Sequence, residues 1–133
     1  MTPWRSGPAP GWRQWLLAGL VGWLWSVPVG VVLWLLAAGI GRVSAEAALI
    51  PMGAALFLIF APAFSWVGLA IAAPMALGAA RQGRFGPASA ALIGAVAGAL
   101  AAWVLGGTSP LLLALFGAVT LLLIRATLTI AAR

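Results

Sequence analysis

Residues 15–39 read WLLAGLVGWLWSVPVGVVLWLLAAG and contain no charged side chain. As a helix, this stretch would rise about 37 Å at 1.5 Å per residue, and about 20 mainly apolar residues suffice to cross a bilayer. It is also longer than the roughly 7–15 apolar residues of a cleaved secretory signal. We therefore interpret it as an uncleaved first transmembrane helix, with a kink expected at Pro28.

The composition of the whole chain indicates the same environment. Of its 133 residues, 65% are hydrophobic and only 6% are charged, whereas soluble domains carry about 25% charged residues. So few charges cannot cover a water-facing surface, and lipid is therefore the expected solvent. The length allows four passes with short connections and leaves no room for a separate soluble domain.

Prolines and glycines place the boundaries of the other elements. Pro51 and Pro110 suit the first turn of a helix, and Pro62 is expected to bend the second span, for which a re-entrant form is left open. Residues 44–50 are expected to form a short connection before Pro51. The predicted elements are an interfacial arm over 1–13 and helices over 15–39, 51–78, 87–106 and 110–130.

The predicted fold is therefore all-α, an integral membrane four-helix bundle with short loops, forming a single transmembrane domain over residues 1–133. The arginines set its orientation, because cytoplasmic loops carry an excess of positive charge. With both termini in the cytoplasm, only Arg42 lies outside, and six arginines lie inside: Arg5, Arg13, Arg81, Arg84, Arg125 and Arg133. Arginine without lysine, beside abundant alanine and glycine, is typical of a GC-rich bacterial genome, so the predicted location is a bacterial inner membrane.

Small residues mark the expected helix–helix contacts. Ala, Gly and Ser are spread around the whole third span, which predicts a central position for it, whereas the leucine-rich fourth span is expected to be peripheral. A ridge of small residues on the first span is a candidate mate for the third. The predicted helix-packing residues are Gly22, Ser26, Gly30, Ala90, Gly94 and Gly98.

Tryptophans inside the predicted spans are candidates for contacts outside the chain. An indole N–H deep in a membrane needs an acceptor, so Trp23, Trp25 and Trp34 are candidates for contact with a lipid or a partner subunit, and plain bundle packing is favoured over a pigment-like cofactor. Arg125 has two interpretations. Its side chain extends to the cytoplasmic surface, or it holds an anionic lipid or a partner's carboxylate.

Glu46 is the only acidic residue of the chain. We interpret it as a carboxylate near a helix start, where the helix dipole favours it, in an ion pair with Arg42. A role in handling protons or cations is the alternative.

Few residues of the chain could perform chemistry. The sequence has no cysteine, histidine, aspartate, lysine or tyrosine, and general acid–base catalysis usually draws on these types and glutamate. We expect no enzyme activity, no metal site and no cofactor. The arginines are scattered rather than gathered on one face, so anionic lipids rather than nucleic acid are the expected anionic partners.

Three functions remain. The first is a non-catalytic accessory or assembly subunit of a larger membrane complex (energy-transducing, photosynthetic or transport), with other membrane subunits as partners. The second is a small oligomeric transporter or channel, in which the mid-span prolines Pro28 and Pro62 would create broken helices. The third is a holin-like membrane protein. A homo-oligomer is compatible with all three.

Overall fold

The structure is a computed structural model that describes residues 11–106 and 109–131. This part of the chain is helical apart from turns, and the helices are α1 (Trp12–Leu24), α2 (Ser26–Gly41), α3 (Ala45–Arg81), α4 (Pro87–Val104) and α5 (Pro110–Ala131). Helices α1 and α2 together form one apolar span, Trp12–Gly41, so that four spans are long and apolar enough to cross a membrane. The predicted all-α class with four membrane-spanning segments is confirmed. The sides on which the termini lie remain a prediction.

The interruption between α1 and α2 lies just before Pro28. Proline lacks an N–H group and its ring crowds the carbonyl four residues earlier, which here belongs to Leu24, the last residue of α1. Trp25 separates the two helices but keeps helical backbone angles (φ −56°, ψ −31°). The effect expected of Pro28 is thus a one-residue break in the helical hydrogen bonding.

Helix α3 differs from the prediction at its start. It begins at Ala45, so residues 45–50 are helical and not a connection, and Pro51 lies inside the helix. The hydroxyl of Ser44 accepts the N–H of Ala47 (3.3 Å), as a residue just before a helix does. The helix then continues for 37 residues, and Pro62, where a bend was expected, does not interrupt it.

Other boundaries differ by a few residues. Helix α1 already includes Trp12 and Arg13, which were expected in the interfacial arm. The remainder of that arm, residues 1–10, lies outside the described residues. Helix α4 ends at Val104 rather than at Gly106.

The chain divides into two compact units. The first comprises residues 1–23 and 65–133, and the second comprises residues 24–64. Helix α3 therefore contributes its first half to the second unit and its second half, from Ser65, to the first. A single transmembrane domain over 1–133 stays a prediction.

The core of the first unit is built mainly from alanines and the larger side chains of α5. Its most enclosed aromatic residue, Phe85, lies in the α3–α4 loop, and its ring centroid is 5.5 Å from that of Trp15. The loop leaves α3 through Gly83, whose φ of +67° suits glycine, and Arg84 donates its N–H to Ala79 (2.8 Å). The core residues are Ala18, Ala72, Ala76, Phe85, Ala90, Ala97, Leu121, Ile124 and Leu128.

Helices α4 and α5 pack backbone to backbone. A Cβ atom at Gly94 would overlap the carbonyl of Gly117, and one at Gly98 would lie 2.7 Å from the carbonyl carbon of Leu113. As the position on α4 advances by four residues, the contacted position on α5 falls by four, so the two helices are antiparallel. The predicted mate of these α4 glycines was the first span, and the structure places α5 there instead.

The ridge on the first span packs against two other elements. A Cβ at Gly22 would collide with the side chain of Ile124 in α5, and one at Gly30 would lie 2.9 Å from the carbonyl oxygen of Ala55 in α3. Helix α5 therefore contacts both α1 and α4 and supplies core residues. It is not peripheral, because its leucine-rich surface is turned partly inward.

Candidate apolar cleft

The first unit contains an apolar cleft of about 580 Å³ between α1, α3 and α5. Its α1 wall follows a helical spacing, with Trp12 at one end, Trp15, Leu16, Gly19 and Leu20 between, and Trp23 at the other. Residues spaced by three and four positions share one face of a helix. The remaining lining residues are Leu69, Ala72, Ala73, Ala76, Leu77, Leu121 and Ile124.

Small residues explain why the cleft stays open. Three of the five α3 residues that line it are alanines, Ala72, Ala73 and Ala76. On the facing helix, a Cβ built at Gly19 would have no atom within 4 Å. The chain thus leaves unfilled a space framed by three indole rings, instead of closing it with side chains of its own.

The α1 start, the α3 end and the α5 end meet at one end of the first unit. The Gln14 side-chain amide donates to the carbonyl of Ala131 (2.9 Å), which joins α1 to the end of α5. The contact of Trp15 with Phe85 joins α1 to the α3–α4 loop. Four of the arginines predicted to be cytoplasmic belong to these segments: Arg13, Arg81, Arg84 and Arg125.

Arg13 stands beside the cleft at this end. Its guanidinium carbon lies 5.6 Å from the ring centroid of Trp12, a distance typical of a cation–π contact, and Trp12 lines the cleft. Arg81 follows Leu77 by one helical turn in the same row of α3. Both arginines are exposed.

The predicted helix-packing residues are all buried. Gly22, Gly30, Gly94 and Gly98 make the close backbone approaches described above. Ser26 and Ala90 are fully buried, and the hydroxyl of Ser26 has no hydrogen-bond partner among the described residues.

The residues predicted to contact lipid or a partner are not gathered in one place. Trp23 lines the cleft, Trp25 is half-buried, and Trp34 is 42% exposed on α2. Arg125 is half-buried, and its Nε atom is buried without a hydrogen-bond partner in the described chain.

Arg42 and Glu46 lie at the connection between α2 and α3. Both side chains are exposed, and no salt bridge joins them within the described structure. Glu46 is the second residue of α3 and lies in its first turn, so its position agrees with a favourable interaction with the helix dipole.

Sequence reasoning missed the cleft itself. The spacing of Trp12 and Trp15 to Gly19 and Trp23 follows one helix face, and all four residues line the cleft. That spacing was the available signal. Nothing in the sequence indicates that Ala73 and Ala76 line a cleft, because only the packing of α1 against α3 reveals it.

The lining of the cleft determines which ligands it suits. Within the described residues, no group of three or more His, Cys, Asp or Glu side chains could hold a metal ion. Pockets of about 300–1,000 Å³ commonly hold small ligands. An apolar lining of this volume suits an apolar ligand or a hydrocarbon chain.

Comparison with known proteins adds no further assignment. The chain matches no protein-family profile, no curated protein and no solved structure.

Proposed function

We propose that this chain is a non-catalytic accessory or assembly subunit of a larger membrane complex. We place it in a bacterial inner membrane with both termini in the cytoplasm. The observation that carries the proposal is the position of Trp66, whose side chain is 59% exposed in the middle of the longest helix, α3.

Trp66 is far from both charged ends of its helix. Glu46 precedes it by 20 residues and Arg81 follows it by 15, which correspond to about 30 Å and 22 Å along the axis. Its indole N–H therefore lies within the hydrocarbon, and it has no hydrogen-bond partner within the described chain. A buried indole usually finds an acceptor, and a carbonyl or side chain of a neighbouring subunit would supply one.

The surroundings of Trp66 support a protein neighbour. Ala63 and Ala70, which precede and follow it on the same face of α3, are exposed. The small residues on either side of the ring leave room for a second helix to pack against it. Close packing is what stabilises helix association in lipid. Trp103, in contrast, is exposed near the end of α4, where the headgroup layer accommodates an indole.

The test is the mass of the particle that contains this chain. The chain should be purified from its native membrane in mild detergent, with Trp66→Phe compared with Trp103→Phe as the matched control. We expect the wild type and Trp103→Phe in a particle containing other subunits, and a reduced yield of that particle for Trp66→Phe, which keeps the ring but loses the N–H. A wild-type particle composed of this 13.5-kDa chain alone would remove the proposal.

A small oligomeric transporter or channel is the second candidate. It is supported by the break at Trp25, next to the fully buried Ser26 with its unpartnered hydroxyl, because interrupted helices supply polar groups to transport sites. Solute flux through liposomes that contain only this chain would favour this function over the first.

A further inference from the structure

We infer that the apolar cleft of the first unit binds one acyl chain of an anionic phospholipid from the surrounding membrane, with the lipid phosphate held by Arg13 and Arg81. Trp66 does not line the cleft, and the inference does not depend on the proposed subunit role.

The length of the cleft corresponds to one leaflet. Its lining on α1 extends from Trp12 to Trp23, eleven residues or about 16 Å along the axis. Half of a hydrocarbon core about 30 Å thick is about 15 Å. A groove of this length matches the part of a phospholipid that lies in one leaflet.

The lining of the cleft suits hydrocarbon rather than a polar ligand. None of its thirteen lining side chains carries a charge, and apart from the tryptophans they are Leu, Ile, Ala and Gly. An acyl chain needs no hydrogen-bond partner. It would fill the space beside Gly19 and Ala73 that the helices leave open.

Charge selects the headgroup. Arg13 contacts the Trp12 ring at the edge of the cleft, and Arg81 lies one turn beyond Leu77, which lines it. Both belong to the end of the first unit where α1 begins and α3 ends. Two exposed guanidinium groups at this end complement a phosphate, and a zwitterionic lipid would gain less from them.

Native mass spectrometry of the full chain in mild detergent tests the inference, with dioleoyl phosphatidylglycerol and dioleoyl phosphatidylcholine added separately. Gly19→Leu fills the cleft. Its matched control is Gly53→Leu, another helical glycine with no atom within 4 Å of a built Cβ, which does not line the cleft. Arg13→Gln with Arg81→Gln removes the charges, and Arg42→Gln, also exposed, controls for the loss of an arginine.

We expect one tightly bound phosphatidylglycerol in the wild type and both controls, and almost none in Gly19→Leu. The double arginine variant should bind it about 30-fold more weakly, at about fivefold per basic residue. Equal retention of the two lipids by the wild type would overturn the choice of an anionic phospholipid. Equal phosphatidylglycerol binding by Gly19→Leu and Gly53→Leu, or no effect of the double arginine variant, would overturn the site.

Discussion

Gly94 and Gly98 determine how closely α4 approaches α5. At both positions the place of a Cβ atom is occupied by backbone of α5, including the carbonyls of Gly117 and Leu113. Backbone cannot move aside as the end of a flexible side chain can, so any larger residue must push the helices apart. In lipid this separation is costly, since packing rather than water exclusion holds membrane helices together.

Gly94→Ala should therefore destabilise the protein, by about 1–3 kcal/mol as for other overpacked cores. Gly53→Ala is the control, because a Cβ there meets nothing within 4 Å, and it should stabilise α3 by up to about 1 kcal/mol through helix propensity. The measurement is the free energy of unfolding in detergent micelles titrated with SDS. Equal effects of the two substitutions would show that α4 and α5 do not pack as described.

At the scale of the element, proline has different effects in the first and second spans. Pro28 accompanies a break in hydrogen bonding at Trp25, whereas Pro51, Pro62 and Pro74 all lie within the uninterrupted α3. Ser26, next to the break, is fully buried with an unpartnered hydroxyl. The break is thus a local property of the α1–α2 junction and not a general consequence of proline in this chain.

Pro28→Ala should join α1 and α2 into one continuous helix, because the new N–H can donate to the carbonyl of Leu24. One hydrogen bond is worth about 0.5–1.5 kcal/mol, so amide exchange at residues 25–29 should slow by roughly 2- to 12-fold. Hydrogen exchange in detergent micelles measures this change. Unaltered exchange there would mean that Pro28 does not cause the break.

Hydroxyl groups inside α5 illustrate how the elements satisfy their polar atoms in lipid. Thr127 and Thr129 donate their hydroxyls to the carbonyls of Leu123 and Arg125, each at 2.8 Å. Bonds back to the preceding turn remove the need for water. Ser26 and Ser65 make no such bond in the described chain.

For the whole molecule, sequence predicts the number of spans and their small-residue faces but not which faces meet. Uninterrupted apolar length identified four spans, because hydrocarbon thickness fixes the required length. The start of α3 was misplaced, since Pro51 was taken as a helix start and the hydroxyl of Ser44 was not recognised as the cap. The pairing of Gly94 with Gly117 and the cleft beside Gly19 depend on tertiary contacts, and residue spacing within one helix does not encode them.

Four of the arginines are gathered at one end of the first unit. Arg13, Arg81, Arg84 and Arg125 belong to helix ends and a loop that meet at one end of the first unit. This convergence agrees with the predicted cytoplasmic side, because positive loops remain on that side of the membrane. The proposed location depends on this orientation.

The orientation is open to a direct measurement because the chain has no cysteine. Single cysteines can replace Val43, which is 91% exposed between α2 and α3, and Gln82, which is exposed between α3 and α4. Intact cells are then treated with a membrane-impermeant maleimide. We expect Val43→Cys to be labelled in intact cells and Gln82→Cys to be labelled only after the cells are opened. Labelling of Gln82→Cys in intact cells, with Val43→Cys protected, would contradict the proposed orientation.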